Sequence, residues 1–106
     1  MNAVKDCLNR SIRTTDERIL HIKDNHPELA VADLEEKIIS TLQNPECIIA
    51  SISDETVELY YKQFFQTPVG DKWLCIVVKN LATDFFVITL YYTDTIKKGI
   101  EIWKKM

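Results

Sequence analysis

The chain has 106 residues, 46% of them hydrophobic, with only two glycines and three prolines. This length predicts one domain over residues 1–106, and the low glycine and proline content argues against a disordered or low-complexity chain. A net charge of −3 argues against broad, non-specific binding of nucleic acid, which usually needs a basic protein. Without a membrane-length apolar run or an apolar signal segment in its first thirteen residues, the chain is predicted to be cytoplasmic, with no membrane partner.

The three cysteines, Cys7, Cys47 and Cys75, form no Cys-x-x-Cys pair. An odd number of cysteines without that spacing fits neither a disulfide framework nor a zinc site. We therefore expect three reduced, structural cysteines, and we predict no metal and no cofactor.

The N-terminal part of the chain carries the signals of two helices. Thr14 is the predicted cap of the first helix, with Glu17 three residues later as in a capping box. This helix should end near Asn25, because Pro27 disfavours helical geometry at the residue before it. The second helix is predicted to begin at Asp33. Its buried face is a stripe at helical spacing, Leu34, Ile38 and Leu42.

Four β-rich runs follow, at residues 47–53, 56–65, 72–80 and 84–92. Their connections of two to five residues predict hairpins and hence an antiparallel meander. The tail is predicted to turn at 95–98, break at Gly99 and form a short strand at 100–103, whereas the first ten residues are ambiguous. The expected fold is α+β, with N-terminal helices packed on one face of a four-stranded antiparallel sheet.

The first helix carries the best candidate for acid–base chemistry. At about 100° per residue, Glu17, Arg18, His21 and Asn25 share the side opposite the apolar residues. The unperturbed pKa of a histidine side chain lies near neutral pH, so His21 is a candidate general acid or base, although a histidine on a solvated helix face is the simpler interpretation. His26 lies on the apolar side, where a packed or capping role competes with substrate binding, so the two histidines are not expected to share a metal.

The sheet offers a second set of candidates. Lys62 follows Tyr60 on one face of its strand, Thr89 and Tyr91 share a face of theirs, and Lys79 ends the central strand. A lysine in such a position is commonly just the polar end of a buried strand. If these side chains face the first helix, they form a cleft with cations for a phosphorane and hydroxyl donors for a phosphate. A glycine-rich phosphate loop, a nucleophile elbow and a His-Glu-x-x-His motif are missing from the sequence.

The order of these residues resembles the small phage- and bacterium-associated proteins grouped with the barnase, EndoU, colicin and RelE class of nucleases. The similarity covers most of the chain. It is carried by Arg18-x-x-His21-Ile22, His26-Pro27-Glu28, Leu42-x-Asn44-Pro45-Glu46, Tyr60-Tyr61-Lys62, Thr67-Pro68-x-Gly70, Val77-Val78-Lys79, Val87-Ile88-Thr89, Thr93-x-x-Ile96-Lys97-Lys98-Gly99 and Trp103.

This resemblance implies a metal-independent endoribonuclease, either toxin-like or RNA-processing, with helices on a four-stranded antiparallel sheet and RNA as partner. It implies a helix-borne histidine over basic and hydroxyl side chains of the sheet. The catalytic residues would be His21, Lys62, Lys79 and Tyr91, and the substrate-binding residues Arg18, Thr89 and His26. Lys62 replaces an arginine of the relatives and so lacks bidentate phosphate geometry.

Two other interpretations remain open. A non-catalytic binding or regulatory module of the same fold, with a protein partner or as a homodimer, fits the acid excess and the aromatic residues Tyr60, Phe64 and Trp103, which could serve an interface. An immunity or antitoxin protein would instead use the acidic middle of the chain to mimic RNA. A cleft that holds His21 near Lys62 or Lys79 favours the nuclease, whereas His21 alone on an open surface favours the module.

Overall fold

The structure is a computed structural model that describes residues 3–106. Met1 and Asn2 lie outside the described residues. They belong to the polar N-terminal segment in which no signal peptide is predicted. The helices are α1 (Asp16–Asn25) and α2 (Leu34–Gln43), with a short 3₁₀ turn at Pro27–Leu29 between them. The strands are β1 (Ala3–Lys5), β2 (Ser11–Arg13), β3 (Cys47–Ser51), β4 (Val57–Thr67), β5 (Gly70–Asn80), β6 (Phe85–Thr93) and β7 (Gly99–Lys104).

The strands form one seven-stranded mixed sheet in the order β1-β2-β6-β5-β4-β3-β7. The predicted four-stranded antiparallel sheet is therefore wrong. Strands β3 to β6 pair as antiparallel neighbours, but β7 adds to the outer edge of β3, and the β1–β2 hairpin joins β6 through a parallel β2–β6 pair. The error arose because β1 and β2 have three residues each, too few for a periodic pattern, and because periodicity does not say which strands pair.

Both helices lie on one face of this sheet. Ile19 and Ile22 of α1 are buried there, as is the predicted stripe of α2, Leu34, Ile38 and Leu42. They pack against residues of the sheet that all project from the same side: Ile48, Tyr60, Leu74, Ile76, Val78, Val87 and Leu90. Burial of each large aliphatic side chain contributes about 1.5–3 kcal/mol, so this layer holds the helices to the sheet.

The N-terminus of α1 differs from the prediction, whereas α2 begins directly after its N-cap residue Asp33, as predicted. Thr15, not Thr14, caps α1, because its Oγ1 accepts a hydrogen bond of 3.1 Å from the backbone N–H of Arg18. Thr14 continues the alternation of β2 after buried Ile12 and points inward. Asp33 is the N-cap residue of α2, but its side chain makes no capping hydrogen bond. The predicted end of α1 at Asn25 is confirmed.

A short connection crosses the other face of the sheet. Strand β6 is separated from β7 by β5, β4 and β3, so residues 94–98, called the strap, must pass over these strands. The backbone N–H of Lys97 donates a hydrogen bond of 3.1 Å to the hydroxyl of Tyr61 on β4. Beneath the strap lies a second, smaller apolar cluster, to which no helix contributes: Cys47, Ile49, Leu59, Tyr61 and Cys75.

Candidate functional site

The structure places His21 and Arg18 on the side of α1 that faces away from the sheet. Both are exposed, and the ring Nε2 of His21 lies 3.0 Å from the side-chain nitrogen of Asn25, one helical turn later. The adjacent depression, of about 650 Å³, is lined by Thr15 and side chains of α1, with no contribution from a strand. A ligand bound at this depression would therefore meet none of the predicted sheet residues.

Two further predicted residues, His26 and Lys62, lie at the C-terminal ends of α1 and α2. The Nδ1 atom of His26, at the C-terminus of α1, lies 3.3 Å from Glu28, and the His26 backbone N–H donates to Ile22. Lys62 projects on the helix-covered side of β4, where its Nζ donates a hydrogen bond of 3.0 Å to the carbonyl of Asn44. A lysine that neutralises the last carbonyls of a helix is a common capping arrangement. His21, His26 and Lys62 thus each contact a different residue, and among the described residues no hydrogen bond or ion pair joins them.

The other three predicted residues, Lys79, Thr89 and Tyr91, lie together on the face without helices. In the β5–β6 pair, Val77 is opposite Thr89 and Cys75 is opposite Tyr91, while Lys79 follows on the same side. The helix-covered side of the same strands is occupied by the core residues that alternate with them. The sheet therefore unites half of the predicted catalytic set, Lys79 and Tyr91, with one predicted substrate-binding residue.

A β-bulge sets the spacing on this face. Val78 pairs with Val87 whereas Val77 pairs with Thr89, so Ile88 is the extra residue of β6. The bulge shifts the alternation by one residue, and Phe86 projects from the same side as Thr89 and Tyr91 despite the odd spacing.

Arg13 and Phe86 belong to the same surface and were missed by the sequence analysis. Arg13 pairs with Phe86 in the parallel β2–β6 ladder, and its guanidinium carbon lies 5.3 Å from the centre of the Phe86 ring. Its Nη2 also forms an ion pair of 2.9 Å with Asp84. The alternation in β2, with Ile12 buried, shows that Arg13 faces outward, but no local pattern indicates that β2 joins β6. We call the surface formed by Arg13, Lys79, Phe86, Thr89 and Tyr91 the open face.

The two cations of the open face, Arg13 and Lys79, each form an ion pair with a carboxylate that a ligand could replace. Nζ of Lys79 lies 3.2 Å from Asp54, in the loop before β4, and both side chains are partly exposed. Hydrogen bonds from the hydroxyl and backbone N–H of Thr56, and then from Lys79, lower the pKa of Asp54 below its usual value. Exposed ion pairs contribute little to stability, so a phosphate can replace either carboxylate at small cost.

Burial keeps the hydroxyl of Tyr91, at one end of the open face, and the groups next to it in their neutral forms. It raises the pKa of the Tyr91 hydroxyl well above its ordinary value, and it raises the pKa of the neighbouring Cys75 thiol. Tyr61, on the other side of Cys75, has its pKa raised to about 12, again mainly by burial. Tyr91 can therefore donate a hydrogen bond at neutral pH but cannot act as a base there, and Cys75 is no nucleophile.

Within residues 3–106, no three histidine, cysteine, aspartate or glutamate side chains lie close enough to bind a metal ion together. Neither helix in that range is long and apolar enough to cross a membrane. Comparison of the chain with protein-family models, with curated proteins and with solved structures finds no match. The resemblance to the barnase, EndoU, colicin and RelE class thus stays a prediction based on the residues quoted above.

Proposed function

We propose that this protein binds single-stranded RNA on the open face. The observation that carries the proposal is the convergence of Arg13, Lys79, Phe86, Thr89 and Tyr91 on one sheet surface that no helix covers. Single strands are recognised by aromatic rings that stack on bases and by cations and hydroxyls that contact phosphate and sugar. The open face offers all three kinds of group.

The open face also has a suitable size. Phe86 and Tyr91 lie opposite Lys79 and Cys75, which are four residues apart on β5, and at about 3.3 Å per residue this corresponds to roughly 13 Å. Arg13 stands beside Phe86, and Lys79 occupies the neighbouring position on β5. A strand of RNA could therefore extend along β6, with phosphates near the cations at one end and a hydroxyl donor at Tyr91. Such binding is local, which is compatible with a net charge of −3.

Fluorescence anisotropy with a short fluorescein-labelled single-stranded RNA, titrated at several salt concentrations, tests this proposal. Lys79→Gln and Arg13→Gln should each weaken binding and reduce the slope of log affinity against log salt by about one. Lys23→Gln, on α1, is the matched control and should leave the slope unchanged. No binding at low salt, or equal slopes in all four proteins, would contradict the proposal.

A second candidate function is metal-independent cleavage of the bound RNA. It is favoured by the presence of Lys79 and Tyr91 on one surface, because both can stabilise negative charge that develops on phosphate oxygens. The general base predicted for this reaction is His21, which lies on the far side of α1 and contacts none of these side chains. His21 thus lies on an open surface, out of contact with Lys62 and Lys79, and this position favours a binding module over a nuclease.

Incubation of labelled RNA with the purified protein in EDTA distinguishes binding from cleavage. Labelled RNA that binds and stays intact supports a binding domain, whereas RNA that is shortened supports the endoribonuclease. In the second case, Tyr91→Phe and Lys79→Gln should abolish cleavage, and His21→Ala tests the predicted base directly. Unchanged cleavage in His21→Ala would remove His21 from the mechanism. An RNA substrate also agrees with the predicted cytoplasmic location.

A further inference from the structure

Strand β7 forms one edge of the sheet, and among residues 3–106 it pairs with β3 alone. The opposite edge, β1, has only three residues, whereas β7 has six. The β7 edge also carries exposed apolar side chains: Ile100 and Ile102 are 65% and 40% exposed, and Ile52, directly after β3, is 75% exposed. The outward N–H and C=O groups of an edge strand can pair with a strand of another chain.

Two exposed side chains of opposite charge lie along β7. Glu101 is opposite Ile49 of β3 and Lys104 is opposite Cys47, so both project from the helix-free face of the sheet. Their spacing of three residues would place them on opposite faces of a regular strand. A β-bulge, in which Ile102 is the extra residue of β7, brings them to the same face.

Neither Glu101 nor Lys104 forms an ion pair with another side chain of residues 3–106. Residues 101–104 are, however, complementary to themselves when they are read in the opposite direction. Their order is acid, apolar, apolar, base: Glu101, Ile102, Trp103 and Lys104. A strand with this order can therefore satisfy its two charges by pairing antiparallel with a second copy of itself.

The register of such a pair follows from the charges. With the two-fold axis between Ile102 and Trp103, each Glu101 lies opposite Lys104 of the second copy, and each Ile102 lies opposite a Trp103. Opposite charges in facing positions of an antiparallel pair are stabilising, and like charges are destabilising. An axis through Glu101 or through Lys104 would place like charges opposite each other. One register is thus favoured over its neighbours.

We propose that the chain forms a symmetric dimer through antiparallel pairing of β7 with β7 of a second copy. The interface has two Glu101–Lys104 ion pairs on the helix-free face and apolar contacts between Ile102 and Trp103. The same patch serves both copies, as a two-fold interface requires. Charged side chains on an edge strand also exclude strands whose charges do not match, so the charges of β7 select a second copy.

This dimer does not depend on the RNA-binding proposal. Strands β3, β4 and β5 separate β7 from β6, so the pairing leaves the open face uncovered. Facing residues of an antiparallel pair project from the same side, so the two sheets join into one with both helix-free faces on one side. The dimer therefore presents two open faces in the same direction.

Sedimentation velocity over a dilution series tests the proposal. The parent should change from dimer to monomer on dilution. Glu101→Lys places lysines opposite each other at both pairs, and Lys104→Glu places glutamates opposite each other at both. Each variant should raise the dissociation constant of the dimer about tenfold or more, because two attractive pairs become repulsive. Both positions are exposed, and circular dichroism should show folded proteins.

Two combinations should restore the dimer. The double variant Glu101→Lys with Lys104→Glu keeps both pairs with reversed sign. An equimolar mixture of the two single variants should form a heterodimer, because each lysine of one copy then faces a glutamate of the other. The controls are Glu35→Lys on α2 and Lys23→Glu on α1, which change the net charge by the same amounts and should dimerise like the parent.

A parent protein that stays monomeric at millimolar concentration would overturn the proposal. A dimer that survives both single charge reversals would show that another surface holds the two copies together, and it would equally contradict the proposal. The same conclusion would follow if the mixture of the two single variants stayed monomeric, because the facing of Glu101 and Lys104 predicts its recovery. Loss of RNA binding in any of these variants does not enter the test.

Discussion

Tyr60 and Tyr61 are neighbours in β4, and both are fully buried, but on opposite faces of the sheet. On the helix-covered face, the Tyr60 hydroxyl donates to Asp6 and accepts a hydrogen bond of 2.8 Å from Arg10. The same Arg10 forms a two-pronged pair with Glu58, at 2.6 and 3.2 Å. On the other face, the Tyr61 hydroxyl accepts the backbone N–H of Lys97.

Different interactions therefore hold the segments that cover the two faces of the sheet. A charged side-chain network ties the loop between β1 and β2 to β4 on one face, whereas main-chain and apolar contacts hold the strap on the other. In a buried charged network, loss of one partner leaves the remaining charges unpaired, and the penalty is large. A contact to a backbone N–H depends little on the identity of the strap residues. We expect the helix-covered face to tolerate far fewer substitutions than the face that the strap crosses.

Replacement of Arg10 by methionine should have the largest effect. The carboxylates of Asp6 and Glu58, whose side chains are 0% and 5% exposed, would lose their shared cation. We expect a loss of about 3–5 kcal/mol in the free energy of unfolding, measured by urea denaturation. Arg13→Met, which removes the exposed pair with Asp84, is the control and should cost far less than Arg10→Met. Equal losses in the two variants would contradict the contrast between buried and exposed pairs.

Gly99→Ala should be the next largest change, and it acts at the end of the strap. A Cβ atom at Gly99 would overlap the carbonyl oxygen of Ala50 and lie 2.5 Å from Ile49 Cγ2. Such overpacking forces the first residue of β7 away from β3, at a cost of about 1–3 kcal/mol. Thermal denaturation of this variant beside Lys98→Ala, at the exposed preceding position, measures the effect. A Gly99→Ala protein as stable as Lys98→Ala would show that the strap can shift freely.

Removal of each tyrosine hydroxyl compares the two faces directly. Tyr60→Phe should cost about 1–2 kcal/mol, because the hydroxyl contacts two charged groups while Arg10 still holds both carboxylates. Tyr61→Phe should cost about 0.5–1 kcal/mol, since one neutral hydrogen bond is lost. Urea denaturation of the two variants gives the difference, and the reverse order would contradict the stronger closure of the helix-covered face.

Alkaline pH should produce the most gradual change. The folded-state pKa of Tyr61 is about 12 against an ordinary value of 10.0, so the unfolded chain loses this proton first. The stabilising contribution of the neutral phenol is therefore complete below pH 10 and is lost as the pH rises towards 12. Melting temperatures across this range should fall less steeply for Tyr61→Phe than for the parent. Parallel curves would contradict a buried, protonated Tyr61.

The sequence was most informative where elements are long and regular. Strands β4 and β5 have eleven residues each, and the buried stripe of α2 repeats every four residues, so periodicity located them. Strands β1 and β2 each bury a single apolar residue, Val4 and Ile12, which gives no period. The β2–β6 pair joins Ile12 to Phe85, and no local pattern could have indicated a contact between residues so far apart in sequence.

For the candidate site, alternation placed residues correctly within a strand but not relative to the helices. Tyr60 and Lys62 do share a face, yet that face is the core side. The charged neighbours of Tyr60 suggested a wet surface, whereas Glu58 is buried against Arg10 and Tyr60 is not available to an interface. Phe64 and Trp103 are half-buried against the helix-side core as well. The Ile88 bulge, which brings Phe86 onto the open face, has no recognisable sequence signal.

The strap also determines the order in which the sheet can be completed during folding. Strands β3 to β6 form through hairpins of short sequence separation, and once they are paired, β7 needs only a five-residue closure to reach β3. The β1–β2 hairpin must instead find β6 from the far end of the chain. We expect the amides of β4 and β5 to be the slowest to exchange with deuterium, and the two edges of the sheet to open independently of each other.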